Sequence, residues 1–320
     1  MTKIDIMMAT HNGERYVAEQ IESLLWQSFE DWHLYISDDC SEDRTLEILK
    51  AYARREPRIT VVSGEVCYGS AKANFMHLLK LSKAPYAMFC DQDDVWLPDK
   101  IQKTIERMHE LETARRENDP LLVLSDMAVV DEELRLTNLS FTKFSKLRPD
   151  HSALSQAIVL PLGAGCTFMM NKPLVRLSLE HADVDGMYMH DWWVTLCAAT
   201  FGGISYIDEP LSLYRQHQDN TCGAPAYSPM RSVAQGEYVN GFLSNVNQAR
   251  AFRDAYSEML SPKDLNRLDA FIHAASSDSI AGGVVQLIRS KCWKPWPRSM
   301  GQIAAVVRLP RRQKEPRVES

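Results

Sequence analysis

The sequence predicts an α/β protein, with a largely parallel central sheet flanked by helices and a helical C-terminal extension. Two observations carry this. Short apolar runs alternate with amphipathic stretches over the first 130 residues, and from Pro225 onward the pattern turns helical. Ile4 to Ala9 reads as a buried strand. Glu14 to Trp26 reads as a helix with Val17, Ile21, Leu24 and Leu25 on one face. Trp32 to Ser37 is a second strand. Ser41 is the expected N-cap of the next helix, with Asp43 in its first turn and Leu46, Leu49 and Ala53 along it. Ile59 to Val62 is a third strand, Ala71 to Ser82 a helix, and Tyr86 to Cys90 a fourth strand. Pro98 stands where a first-turn proline belongs, ahead of Ile101, Ile105 and Met108 at helical spacing. Leu121 to Val130 is a fifth strand. Beyond it, Leu139 to Pro149 is a polar, basic loop. Ile158 to Met170 is a strand region containing a GAGC turn, Met187 to Ala199 a helix or a loop entering one, and Ile204 to Ile207 a short strand. Asn240 to Met259 and Pro262 to Ser276 are the clearest later helices.

The chain has 320 residues, 45% of them hydrophobic and 24% charged, which is ordinary for a globular protein. A net charge of -6 argues against general nucleic-acid binding. The charge is uneven: between Arg289 and Arg317 only Glu315 opposes a run of Lys and Arg. Seven cysteines, an odd number with no CxxC pair, argue against a zinc cluster or a disulfide framework and for a reducing cytoplasm. MTKIDIMMATHNGE lacks the apolar run of a signal peptide, and no stretch approaches the ~18 apolar residues of a membrane span.

In a parallel sheet, ligands sit beyond the carboxyl ends of the strands. Strand two runs into Ser37-Asp38-Asp39-Cys40-Ser41-Glu42-Asp43, and strand four into Asp91-Gln92-Asp93-Asp94-Val95-Trp96. Asp is also common in turns and caps. Two acidic clusters at one sheet edge nevertheless repel unless a cation or hydrogen-bond donors lie between them. Mg²⁺ and Mn²⁺ prefer such oxygen ligands, usually a carboxylate or two plus substrate phosphates.

MATHNGERYVAEQIESLLWQSFEDWHLYISDDCSEDRT resembles the opening of the family 2 glycosyltransferases, which have the GT-A fold. CDQDDVWLPDKI resembles their DxD segment, MHDWW the region of their catalytic base, and LYRQHQDN the segment closing the donor site. All four occur in the family's order over roughly residues 1 to 222. The DQDDVW and HDWW forms are most similar to bacterial rhamnosyltransferase-like enzymes of polysaccharide and lipopolysaccharide assembly.

The resemblance implies roles residue by residue. Ala9, Thr10 and His11 line the nucleotide base, with His11 where the family often has Tyr. Asp39, with Asp38 beside it, accepts from the pyrimidine ring NH, as an ionised carboxylate only accepts. Glu14 faces the nucleotide or serves as a first-turn acid. Lys72 and Asn74 contact the donor, though Lys72 is equally a solvated lysine. Asp93 coordinates a divalent metal (Mn²⁺ or Mg²⁺), and Asp91, with Gln92 between them, lies nearer the ribose or sugar. Asp191 is the general base of an inverting displacement. Of Trp192 and Trp193, one packs in the core and the other stacks on a sugar. Arg215 holds the diphosphate, and His217 completes the metal shell or is a plain loop residue. Gly165, in the GAGC segment, permits close approach of the sugar or acceptor, and Cys166 packs.

The expected organisation is a catalytic domain over residues 1–222 and a basic helical extension over 223–320. In the extension Trp293, Trp296, Ile303, Val306 and Val307 alternate with basic residues. They suit peripheral contact with anionic lipid at the inner membrane, or a helix packed on the catalytic domain. The expected activity is transfer of rhamnose from dTDP-L-rhamnose, or of a hexose from a UDP-sugar, to a glycan or lipid-linked glycan on the cytoplasmic side. A nucleotidyltransferase would carry a glycine- and basic-rich loop after strand one, where this chain has ATHNGE. A non-catalytic sugar-nucleotide-binding protein would not need Asp91, Asp93 and Asp191 together.

Overall fold

The computed structural model describes residues 3–62, 66–149, 153–218, 220 and 237–309. Its strands are β1 (Ile4–Thr10), β2 (Trp32–Asp38), β3 (Ile59–Val61), β4 (Tyr86–Cys90), β5 (Val95–Trp96), β6 (Leu121–Val130), β7 (Leu136–Asn138), β8 (Phe168–Asn171) and β9 (Gly203–Arg215). The helices are α1 (Val17–Leu25), α2 (Thr45–Arg55), α3 (Ala71–Lys80), α4 (Lys100–Thr113), α5 (Phe141–Phe144), α6 (Leu154–Ala157), α7 (Lys172–Glu180), α8 (His190–Phe201), α9 (Glu237–Tyr256), α10 (Pro262–Ser276), α11 (Ile280–Ser290) and α12 (Arg298–Arg308).

One sheet runs β3-β2-β1-β4-β8-β6-β9-β5, with β7 on the side of β6. Its first half is parallel: Ile4 of β1 faces Trp32 of β2 and Tyr86 of β4. The chain leaves β1 toward β2 and β3, then returns to β4 on the other side of β1. The carboxyl ends of β1 and β4 therefore flank a point where strand order reverses, the usual crevice for a ligand. The second half is mixed. β8 is antiparallel to β4 and β6, β9 is parallel to β6, and β5 is antiparallel to β9. β4 and β6 are buried along their whole length; β4 is an unbroken apolar run, and β6 is apolar but for Ser125 and Asp126. Ile6, Ile21, Leu34, Met88, Ile101 and Ile105 join β1, β2, β4, α1 and α4 in one core.

Several boundaries differ from the sequence pattern. Ser41 does not cap α2, whose N-cap is Arg44; the Ser41 hydroxyl is used by Asp38 instead. Pro98 precedes α4, which begins at Lys100. In the GAGC region only Phe168–Asn171 is strand, preceded by a 3₁₀ turn at Gly165–Thr167. β9 spans 13 residues rather than four, because its second half pairs with β5 and the end of β6. The loop after Leu139 holds α5. Buried Asp126 fixes it, accepting from the Ser140 hydroxyl, the Thr142 amide (3.0 Å) and the Thr142 hydroxyl (2.9 Å).

The chain divides into two compact units. The first comprises Met1–Ser152, Leu162–Val184 and Met189–Tyr227 and carries the sheet. The second comprises Ala153–Pro161, Asp185–Tyr188 and Ser228–Ser320 and is helical where described. The boundary expected at 222/223 lies outside the described residues, as do Asp150, Cys222, Arg311, Arg312, Lys314 and Arg317. In the helical unit Phe242 meets Phe271 edge-on with centroids 5.5 Å apart, and Phe252 meets Tyr256. α12 turns Gln302, Ala305 and Val306 inward. Val306 is therefore core, not part of an exposed face, because its neighbour α9 covers that side. Among the described residues, no helix is long and apolar enough to cross a membrane.

Gly202 ends α8 where the backbone passes Pro120. A Cβ there would lie 1.7 Å from the Pro120 carbonyl oxygen, and backbone cannot give way as a side chain can. Gly202→Ala is expected to cost about 3 kcal/mol of stability. A denaturant melt checks this, with the midpoint falling and the slope unchanged.

Candidate active site

The first wall of the crevice is built from the loops after β1 and β2. Asp38 is committed to this scaffold: it accepts from the Thr10 hydroxyl (2.9 Å), the Ser41 hydroxyl (2.6 Å) and the Ser41 amide (3.0 Å). Asp39 accepts from the Tyr68 amide and, at 3.2 Å, from the Gly69 amide. His11 hydrogen-bonds the Asp39 carbonyl through Nδ1 (2.8 Å) and leaves its ring exposed. Glu14 accepts from the Arg44 amide at the start of α2 (2.9 Å), so it links the two loops. Asn74 is buried, and its Nδ2 donates to the Ser37 carbonyl (2.9 Å), which makes it a strap between α3 and β2 rather than an open donor contact. Lys72 is half-buried in the first turn of α3.

A disulfide joins Cys40 to Cys67, with Cα atoms 5.6 Å apart. The expectation of no disulfide was therefore wrong. Parity and the lack of CxxC carry no information about a pair that the fold brings together across 27 residues. The bridge follows Asp39 directly and precedes Tyr68, so it clamps the strands of chain that hold the Asp39 carboxylate. Cys90, Cys166, Cys197 and Cys292 are free and buried.

The second wall is the turn after β4. Gln92 and His11 exchange two hydrogen bonds, amide to Oε1 and Nε2 to carbonyl, each 3.0 Å, which fixes this turn against the end of β1. His217 Nε2 lies 2.8 Å from Asp93 Oδ2, and both side chains are mostly buried. Arg215 is engaged by protein acceptors. Its Nε donates to the Asp93 carbonyl (2.8 Å), Nη1 to the Glu132 carbonyl (2.6 Å) and Nη2 to the Glu19 carboxylate. The guanidinium also covers the Tyr16 ring at 4.6 Å. The Arg215 amide donates to Asp94 (3.2 Å). Protein acceptors engage each guanidinium nitrogen, so in this structure Arg215, expected at the diphosphate, braces the acidic turn.

Beneath the turn sits a cluster that the sequence did not announce. Asp94 is fully buried, and its Oδ2 has no hydrogen-bond partner among the described residues. Ligand atoms of Asp91, Asp94 and Cys166 lie within 4.8 Å of one another. Lys100, also fully buried, is the cation they face; it lies over the Trp96 ring at 4.6 Å. Desolvation, and then the charge of Asp93, push the Asp91 carboxyl up to about 7. The same two causes raise Asp94, and burial raises the Cys166 thiol. A neutral thiol is a poor ligand for a hard cation. A divalent ion is better served at the outer edge, where Asp93 and His217 present an oxygen and an imidazole nitrogen. That pair suits Mn²⁺ better than Mg²⁺, with Asp91 alongside. A signal for Lys100 did exist: it lies four residues before Thr104 and eight before Met108, on the buried stripe of α4.

Asp191 opens α8. Its Oδ2 accepts from the Gly165 amide (3.1 Å) and its Oδ1 from the Trp192 amide (2.6 Å), and its charge is felt at Asp91. A Cβ on residue 165 would come within 3.1 Å of the Asp191 Cβ, so glycine allows this approach. His190 is buried, stacked on Phe75 with centroids 4.4 Å apart, and burial lowers its pKa, keeping it neutral beside Asp191. Trp193 is fully buried and its Nε1 donates to the Ser178 carbonyl (3.1 Å), so it is core. Trp192 is also buried, at 6% exposure, which leaves little ring face for a sugar.

The model for the family described as "Glycosyl transferase family 2" matches residues 5–115. Over 228 residues the chain is 30% identical to the dTDP-rhamnosyl transferase RfbG of Shigella flexneri, covering 68% of this chain and 74% of that protein. The chain belongs to glycosyl transferase family 2. This transferase is also 30% identical over 105 residues to WfgD of Escherichia coli, named as a UDP-Glc:alpha-D-GlcNAc-diphosphoundecaprenol beta-1,3-glucosyltransferase. That match spans 33% of this chain and 40% of that protein. Among solved structures, S. aureus TarS 1-349 in complex with UDP-GlcNAc has the same fold, with a TM-score of 0.53 at 14% identity over 95% of this chain and 90% of that one. The GT-A architecture expected from the sequence is the one observed, and the chain is a glycosyltransferase.

Two outcomes follow from the buried charges. A carboxyl raised in the folded state holds its proton after the unfolded chain has released it. The metal-free protein should therefore lose stability as pH climbs from 3.8 toward about 7, and Mn²⁺ should restore it at the upper end. Melting temperatures across that range, with and without Mn²⁺, check this. Lys100→Met removes the buried cation and should cost about 3 kcal/mol at neutral pH. The loss should shrink at pH 5, where the acids it faces are protonated, and denaturant melts at both pH values check it.

Proposed function

We propose that this chain is an inverting glycosyltransferase whose donor is a nucleoside-diphosphate sugar, with dTDP-L-rhamnose favoured over a UDP-hexose. Its acceptor is a hydroxyl of a glycan or lipid-linked glycan in cell-surface polysaccharide or lipopolysaccharide assembly. Residues 1–222 form the catalytic domain in this reading, and the work is done on the cytoplasmic side of the membrane. The single observation that carries it is the pairing of the Asp93–His217 edge with an Asp191 carboxylate that is held by Gly165 and felt at Asp91. The likeness to the Shigella flexneri dTDP-rhamnosyl transferase supports the choice of donor.

Asp93 and His217 would hold the divalent cation, Mn²⁺ or Mg²⁺, which when bound neutralises charge growing on the leaving diphosphate. Arg215 and Gln92 keep the acidic turn in place from behind. Thr10, His11 and Asp39 would form the nucleotide end of the cleft, with Asp39 as acceptor for the pyrimidine NH. Asp191 takes the proton from the acceptor hydroxyl while that oxygen attacks the anomeric carbon and the carbon–oxygen bond to the diphosphate breaks. One displacement inverts the anomeric centre. The amides of Gly165 and Trp192 hold the Asp191 carboxylate in position throughout.

The test is a thermal-shift screen of dTDP- and UDP-sugars with Mn²⁺, followed by transfer assays with Asp191→Asn. The variant should bind donor as wild type does and lose about 10²- to 10⁴-fold in transfer rate, the usual contribution of a positioned base. Full transfer by Asp191→Asn would remove the base assignment. No shift with any nucleotide sugar would remove the donor reading.

A further inference from the structure

Helix α11 carries a feature that the transferase chemistry does not use. It packs against α10, and Leu287 and Ser290 are turned inward. On its other side Ile280, Val285 and Ile288 are exposed by 48%, 51% and 56%. Their spacing places them along one helical face. An isolated exposed apolar residue is unremarkable, but a row of three on one short helix is not. Val284 stands beside them, half-buried, and Ala281 is exposed. This apolar row is on α11, whereas the sequence pattern had drawn attention to the region from Trp293 to Val307.

Beside the row lies a cavity of about 480 Å³ between α10 and α11. Its walls include Lys263, Arg267 and His273 from α10, with Arg289 and Lys291 from the end of α11, and one acid, Asp269. Asp269 is bonded to Arg253 (3.0 Å), and Arg267 to Asp264 (2.6 Å). Lys263, Arg289 and Lys291 make no ion pair among the described residues. The charge pattern continues along the chain. From Ile280 to Lys314 there is no Asp or Glu, while eight Lys or Arg occur, in a protein whose net charge is -6. Trp296, exposed by 76%, stands within the same segment.

An apolar row flanked by unneutralised cations, followed along the chain by an exposed Trp, matches a bilayer surface. The apolar side chains reach the acyl boundary while the cations meet phosphate headgroups. The stretch from Ile280 to Lys314 carries no carboxylate and the two acids of α10, Asp264 and Asp269, are paired with Arg267 and Arg253, which leaves the cations of the cavity to meet an anionic surface. We propose that the α10–α11 pair is a membrane-docking surface. Ile280, Val285 and Ile288 enter the headgroup boundary, and Lys263, Arg289 and Lys291 hold anionic lipid headgroups at the adjoining cavity. The proposal stands apart from the donor-site reading, since vesicle binding and nucleotide-sugar binding are measured separately.

The test is co-sedimentation of the full chain with phosphatidylcholine vesicles, with and without roughly a third phosphatidylglycerol. The expected result is binding to the anionic vesicles, weak binding to the neutral ones, and loss of binding at high salt. Val285→Asp with Ile288→Asp, and separately Lys263→Glu with Arg289→Glu and Lys291→Glu, should each reduce affinity at least about tenfold. Both variants should keep the wild-type thermal shift with nucleotide sugar, which shows that they fold. Wild-type vesicle affinity in both variants would overturn the proposal, as would equal binding to neutral and anionic vesicles. A wild-type dimer in sedimentation equilibrium that Ile288→Asp makes monomeric would also overturn it, assigning the row to a second copy of the chain. Binding of inorganic phosphate at Arg289 and Lys291, with vesicle binding unaffected by the charge reversals, would overturn it in favour of a soluble anion.

Discussion

Asp91, Asp93 and Asp94 are held within four residues at the end of β4, and much of the surrounding structure offsets the repulsion of keeping them there. Lys100 neutralises the cluster from below, at the cost of burying an ammonium against Trp96. Arg215 secures the turn from behind through the Asp93 carbonyl and the Asp94 carboxylate. The remaining repulsion appears as the raised Asp91 and Asp94 carboxyls. A site strained in this way is poised for a cation, because the ion relieves a cost that the fold has already incurred.

The nucleotide side of the cleft works by a different physical rule. There the acids are satisfied by hydrogen bonds: Asp38 by Thr10 and Ser41, Asp39 by the Tyr68 and Gly69 amides. Bonds of this kind fix the direction of each carboxylate. The Cys40–Cys67 bridge shortens the path between the two chain segments that supply them. Two acidic clusters that look alike in sequence are thus a rigid acceptor platform and an electrostatically loaded ion edge.

This difference also shows what a sequence can disclose. The strands β1, β2, β4 and β6 were legible almost to the residue, since each is a mostly apolar or alternating run bounded by polar turns. β5 and β7, two and three residues long, are too short for any periodicity to register. The acids at the strand ends were legible as a site, because that edge is where such sheets bind ligands. Roles were not legible wherever a side chain's direction depends on a distant partner. Arg215 finds Glu19 across 196 positions and Asn74 finds the Ser37 carbonyl across 37, so both turn inward onto protein partners that no local pattern names. Trp193 likewise goes to the core, where the Ser178 carbonyl takes its N–H.

The end of β9 ties the acidic turn to the entry of α1. Arg215 and His217 lie two residues apart, and both reach Asp93, one through its carbonyl and the other through its carboxylate. Tyr16 packs against both, at 4.6 Å from the guanidinium and 4.9 Å from the imidazole, which ties the entry of α1 to the same point. The His217 amide is in turn held by Asn220. The His217 imidazole therefore occupies one of the two Asp93 carboxylate oxygens, Oδ2, and a cation bound through that oxygen would meet the imidazole as well. Asp93, Tyr16, His217 and Arg215 thus meet at one point, where the end of β9, the entry of α1 and the acidic turn after β4 are tied together.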